Sequence, residues 1–221
     1  MTPALGILGG TFDPIHYGHL ELAREVKVNL GLAAIRLIPA GDPPHRVVPV
    51  APAGERLAMV ELAVADYPGL AADGREIARA GRSYTVLTLA ELRAEEPARP
   101  LALIIGADAF LTLPTWHRWQ ELFELAHFVV VARPGIAFEG APPPPLAREW
   151  QRRHTTDRRA LSASPAGAIV RQAITPRPIA ASQIRAAFSR GDLAAVRGLL
   201  PAAVLAYIER NRLYRPGQDA T

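Results

Sequence analysis

Hydrophobic residues follow two alternating patterns along the chain. Short, largely apolar runs fall at residues 4–8, 35–38, 101–105, 128–132 and 168–174. Runs of this length bounded by Gly or Pro read as buried strands. Those at 101–105 and 128–132 are continuous, as central parallel strands are. Between the runs, apolar residues return at helical spacing. Residues 17–30 place Leu20, Ala23, Val26, Val28 and Leu30 as a helix face, and residues 52–66 place Leu57, Val60, Leu62 and Val64. A helix beginning near residue 85 carries Val86, Leu89 and Leu92, and another is expected over 116–126. A short strand is expected near 76–78. This alternation predicts an α/β, doubly wound, Rossmann-like fold with a mainly parallel sheet.

The pattern weakens after Gly135. A proline run at 142–145 and a polar, Arg-rich stretch at 148–159 read as a partly mobile surface excursion. Helices are expected at 182–188, 192–199 and 201–210, with Pro201 at a first helical position. The organisation implied is a single domain over 1–221. Its α/β core spans 1–178, and a small C-terminal helical segment spans 179–221.

Composition narrows the function classes. A chain of 221 residues, 49% hydrophobic, can bury one sizeable core. The runs at 101–105 and 128–132 are too short to cross a bilayer, so no membrane partner is expected. The first residues lack a charged segment followed by an apolar one, so no signal peptide is expected. There is no cysteine, which excludes disulfides, thiolate catalysis and cysteine-bound zinc and fits a cytoplasmic setting. The net charge is +4, and Lys27 is the only lysine among 25 basic residues. Arginine forks suit phosphate and carboxylate. Ala and Pro are abundant too, so the arginine excess also follows general composition. No lysine run or aromatic–basic interleaving points to nucleic acid.

The chemistry concentrates after the first strand, in Gly9-Gly10-Thr11-Phe12-Asp13-Pro14-Ile15-His16-Tyr17-Gly18-His19. Two glycines there let backbone N–H groups approach a phosphate, although a Gly-Gly turn is also common as plain structure. The helix that follows favours anions at its N-terminus. His16 and His19 are three residues apart, so a helix from about residue 16 puts them on one face. An imidazole can donate to a phosphate oxygen and offset charge that builds in a transition state. No carboxylate stands at helical spacing to complete a metal site. The segment is neither a Walker loop nor a G-x-G-x-x-G dinucleotide turn.

The string from Gly10 to His19 resembles the signature of bacterial nicotinate-nucleotide adenylyltransferases. Its His-x-Gly-His portion is shared more widely among nucleotidylyltransferases and class I aminoacyl-tRNA synthetases. Further blocks are similar in the same order along nearly the whole chain: 43–46, 82–85, 105–108, Trp116, 133–135 and 207–214. The stretch 179–185 resembles the family's Ile-Ser-x-Thr/Ser-x-x-Arg block, with Ala180 where the family usually has Ser.

The resemblance implies transfer of AMP from ATP to nicotinate mononucleotide. The products would be nicotinate adenine dinucleotide and pyrophosphate, formed with Mg²⁺ carried by the ATP and without a covalent intermediate. His16, His19 and Arg185 would carry catalysis. Gly9, Gly10, Thr11, Phe12, Gly18, Gly106, Asp108 and Ser182 would bind ATP. Arg46, Tyr84, Thr85, Trp116, His117 and Arg133 would bind the mononucleotide. The backbone amides of Thr85 and His117 match positions that hold the nicotinate carboxylate. Plain structural readings stand beside several of these. Asp108 and Ser182 suit helix N-caps, and Trp116 could pack with Trp119 and Phe123 on one helix. Tyr84 could be packing, and Arg46 and Arg133 ordinary surface residues. Two other activities share the His-x-Gly-His site: adenylyl transfer to nicotinamide mononucleotide or pantetheine phosphate, and nucleotide sensing without catalysis.

Overall fold

The structure is a computed structural model and describes residues 2–43, 48–132 and 142–216. Six strands form one parallel sheet: β1 (Leu5–Gly10), β2 (Ala34–Pro39), β3 (Leu70–Ala72), β4 (Leu101–Gly106), β5 (His127–Ala132) and β6 (Ile169–Ala173). Their order is β3-β2-β1-β4-β5-β6. This is the doubly wound order expected of a Rossmann-like sheet, which reverses direction at β1 and takes ligands at the carboxyl ends of its strands. The helices are α1 (Tyr17–Leu30), α2 (Ala53–Val64), α3 (Arg75–Ala78), α4 (Thr85–Glu95), α5 (Ala107–Leu111), α6 (Leu122–Leu125), α7 (Pro144–Arg153), α8 (Ala160–Ala163), α9 (Ala181–Ser189) and α10 (Ala202–Arg210). By internal contacts the chain forms two units, 1–9 with 25–36 and 84–176, and 10–24 with 37–83 and 177–221.

In the first unit, β4 and β5 are buried along their length, which is why their sequences show no polar alternation. Phe128 on β5 meets Phe110 at 5.9 Å and Phe123 at 4.6 Å between ring centroids. Helix α7 closes over this cluster. Leu146 is fully buried and the Trp150 ring lies edge-on to Phe110. Arg153 donates to Glu149 and Glu124 and lies over the Phe123 ring. A buried Leu contributes roughly 2 kcal/mol, enough to hold a ten-residue helix that would be marginal alone. So 144–153 is an ordered helix rather than the mobile excursion that its polar composition suggested.

His127 is fully buried at the start of β5. Its Nδ1 accepts from the Ala168 amide at 3.0 Å, and its Nε2 lies 2.7 Å from the Ser164 carbonyl. Those partners require a neutral ring with the proton on Nε2. Burial pushes its pKa down, the Ser164 carbonyl opposes this, and Arg93 adds to it.

In the second unit, α2 buries Met59, Val60, Ala63 and Val64 together with Arg56. Leu62, expected in the core, is 36% exposed. The strand expected near 76–78 is instead the short helix α3, and β3 lies earlier, at Leu70–Ala72. Asp73 decides this: its Oδ1 accepts from the Arg75 amide, which starts a helical turn. Near the C-terminus α9 and α10 form as expected, but 192–199 contains only a 3₁₀ turn at Ala194–Val196. Pro201, expected as the first helical residue, is the N-cap of α10, one position before its first residue Ala202.

Helix α1 keeps its expected bounds. Leu20, Ala23 and Val26 are fully buried, while Val28 is 66% exposed. It ends at Gly31, at φ +61°, where the Leu32 amide reaches back to the Lys27 carbonyl at 3.0 Å. This is a Schellman closure, which favours glycine.

Candidate functional site

The phosphate candidates from Gly10 to His19, with Ser182 and Arg185, belong to the second unit. Strand β1 ends at Gly10, whose carbonyl accepts from the Ala40 amide at 2.9 Å. Space governs two glycines of the loop. A Cβ on Gly10 would lie 2.9 Å from the Phe12 ring, and one on Gly18 would lie 2.9 Å from the His16 ring. The glycine in His-x-Gly-His therefore makes room for the first histidine. Gly9 is exposed with open space around it.

Helix α1 begins at Tyr17, so His16 stands just before it rather than inside. The His16 carbonyl accepts from the His19 and Leu20 amides at 2.9 and 3.3 Å. The two imidazoles stack, with centroids 3.8 Å apart and planes 24° apart. Phe12 meets His19 edge-on at 5.1 Å. His16 is only 5% exposed, whereas His19 is partly open. His19 Nδ1 accepts from the His16 amide at 3.4 Å, which leaves the neutral ring's proton on Nε2 as a donor. One expected anion donor is already used: the Tyr17 amide donates to the Leu199 carbonyl at 3.0 Å.

The same loop carries, at Asp13, a buried polar network that sequence reasoning missed. Asp13 accepts from the Val50 amide (2.8 Å), the Ala51 amide (3.1 Å) and the Tyr214 hydroxyl (2.7 Å). Arg56 is 1% exposed and donates to the carbonyls of Ala51 (3.1 Å), Thr11 (2.8 Å) and Gly41 (3.3 Å). Burial lowers the Arg56 pKa, and Asp13 opposes that shift. Burial and Asp13 together push Tyr214 well above the usual phenol range. Ser83 accepts from the Gly41 and Asp42 amides at 2.8 and 3.2 Å. The available signal was Asp13 within the Gly-His string. Tyr214 stood in the similar block 207–214 but without a role, and Arg56 gave no signal, because its partners at residues 11 and 41 are far off in sequence.

Arg185 joins the same network. Its NH1 donates to the Asp13 carbonyl at 2.7 Å and lies 3.9 Å from Asp13 Oδ2. About a third of its side chain stays exposed, so the fork has further N–H groups for a ligand. Ser182 is exposed and is the second residue of α9, not its N-cap. The N-cap is Ala180, which offers no side-chain acceptor. Ala in place of Ser there leaves the amino end of α9 without a side-chain cap.

Tyr84, Thr85, Trp116 and His117, expected to bind the mononucleotide, and Gly106 and Asp108, expected to bind ATP, belong to the first unit. Tyr84 is the N-cap of α4 and makes no side-chain cap, so the Thr85 amide heads an uncapped eleven-residue helix. The Tyr84 and His117 rings lie 4.5 Å apart at 36°. The expected helix over 116–126 is broken. Trp116 is extended and ends a 3₁₀ turn at Leu113–Thr115, Arg118 is left-handed at φ +52°, and helix resumes only with Trp119–Glu121 and α6. Trp116 and Trp119 therefore do not share one helix face. Trp119 is half-buried, with its ring edge-on to Phe123 at 6.1 Å. Asp108 is exposed in the first turn of α5, whose N-cap is Gly106, so it is not a cap either. A Cβ on Gly106 would lie 2.5 Å from Asp108 Oδ1, so glycine leaves room for that carboxylate. Arg46 and Arg133 lie outside the described residues.

Among the described residues, no group of three or more His, Asp or Glu could hold a metal ion. Both Asp13 oxygens already accept hydrogen bonds. Among the described residues this donor set does not fit a protein-caged cation. No described helix is long and apolar enough to cross a membrane.

A parallel sheet whose strand order reverses at β1, with a His-x-Gly-His loop at that strand's end, is a nucleotide-binding arrangement, and comparison with known proteins places it among nucleotidyltransferases. The cytidylyltransferase-like family model matches residues 7–187. A probable nicotinate-nucleotide adenylyltransferase from Dechloromonas aromatica is 49% identical over 217 residues, covering 97% of this chain and 99% of that protein. Another, from Halorhodospira halophila, is 52% identical over 200 residues and covers 90% of each. The chain thus belongs, within the cytidylyltransferase-like family, to the nicotinate-nucleotide adenylyltransferases. The fold is similar to Plasmodium falciparum nicotinic acid mononucleotide adenylyltransferase complexed with NaAD, at TM-score 0.71 and 13% identity over 96% of this chain and 97% of that one.

Proposed function

We infer that the protein transfers AMP from ATP to nicotinate mononucleotide, giving nicotinate adenine dinucleotide and pyrophosphate for NAD biosynthesis. One arrangement carries this reading. The stacked His16–His19 pair and the Arg185 guanidinium hang on the same short loop, Arg185 through the Asp13 carbonyl. Near-full-length similarity to relatives named for this activity supports it.

A phosphate oxygen of the mononucleotide attacks the α-phosphorus of ATP in line. The new P–O bond forms as the bond to the β-phosphate bridging oxygen breaks, and pyrophosphate leaves. A phosphate is largely ionised at neutral pH, so no strong general base is needed. His19 Nε2–H and the open N–H groups of Arg185 donate to the oxygens that gain charge. The buried His16 holds His19 by stacking. Mg²⁺ would enter with ATP and offset charge on its phosphates. Asp108 suits ribose hydroxyls. The Thr85 amide at the head of α4 suits the nicotinate carboxylate, and an uncapped helix N-terminus favours an anion over a neutral amide. Tyr84, His117 and Trp116 supply aromatic surface for the pyridine ring.

The test is direct. Protein mixed with MgATP and nicotinate mononucleotide is to give the dinucleotide and pyrophosphate in equal amounts. Absence of both products would overturn the reading.

A further inference from the structure

We propose that Tyr214, near the far end of the chain, is a positioning residue for adenylyl transfer and acts through Asp13 on Arg185. The proposal rests on the catalytic role given to Arg185 above.

Tyr214 is buried, and its hydroxyl donates to Asp13 Oδ1 at 2.7 Å. The hydroxyl stays protonated across the working pH range, because burial and the neighbouring Asp13 both raise its pKa. It is therefore a constant donor and not a proton carrier. Asp13 in turn presents its backbone carbonyl to Arg185 NH1 at 2.7 Å, with its carboxylate 3.9 Å from the same nitrogen. One residue thus receives Tyr214 on its side chain and holds Arg185 with its backbone. The other donors on that carboxylate, the Val50 and Ala51 amides, fix it from the segment before α2. Tyr214 fixes it from beyond α10, and Phe188 of α9, the helix that carries Arg185, lies 6.2 Å from the Tyr214 ring. The Tyr214 side chain so touches both the acceptor of Arg185 and its helix. Loss of the hydroxyl lets Asp13 shift and Arg185 with it, while the substrate-contacting groups all remain. Misplacement of a group that acts on transition-state charge lowers kcat more than it raises KM.

The experiment is a double-mutant cycle in the full chain, with kcat and both KM values measured for MgATP and nicotinate mononucleotide. Tyr214→Phe is expected to lower kcat about tenfold with each KM within about twofold. In an Arg185→Ala background the same change is to lower kcat less than about twofold, because its route is already cut. An equal loss in both backgrounds overturns the proposal, and so does an unchanged kcat in the native background. Rates are expressed per folded molecule from circular dichroism, so a variant that unfolds in part still gives an answer. Arg185→Ala alone separates the two levels. If it leaves turnover unchanged, the catalytic reading of Arg185 fails. If it lowers turnover while Tyr214→Phe does not, only the present proposal fails.

Discussion

His16 and His19 stack their imidazoles 3.8 Å apart, the first buried just ahead of α1 and the second within its first turn. The buried ring orients the open one. His19→Ala is therefore expected to lower kcat by about 10²–10³, the range for losing one donor to developing charge. Its thermal midpoint should stay close to the parent's. Steady-state kinetics with thermal denaturation checks this, and an unchanged kcat would remove His19 from its role.

Gly18 sets the space for that stack. In Gly18→Ala the new methyl meets His16 Cε1 and Nδ1 at 2.9 Å, so the ring must move. A shift of about 1 Å near reacting groups can cost about 10²-fold in rate. Turnover should fall by that order with the far-ultraviolet dichroism retained. Gly54→Ala, in α2, is the control, because its Cβ meets nothing within 4 Å.

Arg56 is expected to dominate the stability of its unit. Arg56→Met removes donors from three carbonyls and leaves Asp13 without its buried counter-charge. Breaking such an arrangement costs about 3 kcal/mol or more. Urea unfolding should show the loss, and a change below about 1 kcal/mol would show that the network carries little.

Acid should weaken the fold through His127. Burial depresses its pKa in the folded chain below the usual value of about 6.5. As pH falls, the unfolded chain takes up the proton first. The stabilisation is full above about pH 6.5 and is lost as pH drops toward the folded value. His154, depressed by burial and Arg171, adds in the same direction. Unfolding free energy measured between pH 8 and 5 should fall, and His127→Gln should flatten that slope in part. An unaltered slope would assign the acid response to other groups.

The central strands and the Gly-His loop were legible because their signals are local. A continuous apolar run specifies a buried strand, and the glycines are dictated by side chains two residues away, Phe12 for Gly10 and His16 for Gly18. The second unit's polar core was not legible. Apolar spacing puts Leu62 inside α2, yet Arg56 takes the buried place because carbonyls at residues 11, 41 and 51 converge on it. That convergence is tertiary and leaves no periodic trace. Helix α7 was misjudged for the opposite reason. Its polar composition hid Leu146 and Trp150, which anchor it on Phe110 and its neighbours. The cap assignments of Asp108 and Ser182 failed by two residues, since Gly106 and Ala180 hold the cap positions.

The most direct test of the central claim is a comparison of kcat/KM for three acceptors, nicotinate mononucleotide, nicotinamide mononucleotide and pantetheine phosphate, each with saturating MgATP. The account predicts that the nicotinate nucleotide leads by at least about tenfold, or about 1.4 kcal/mol in transition-state binding. An equal or better rate with either of the others would contradict it.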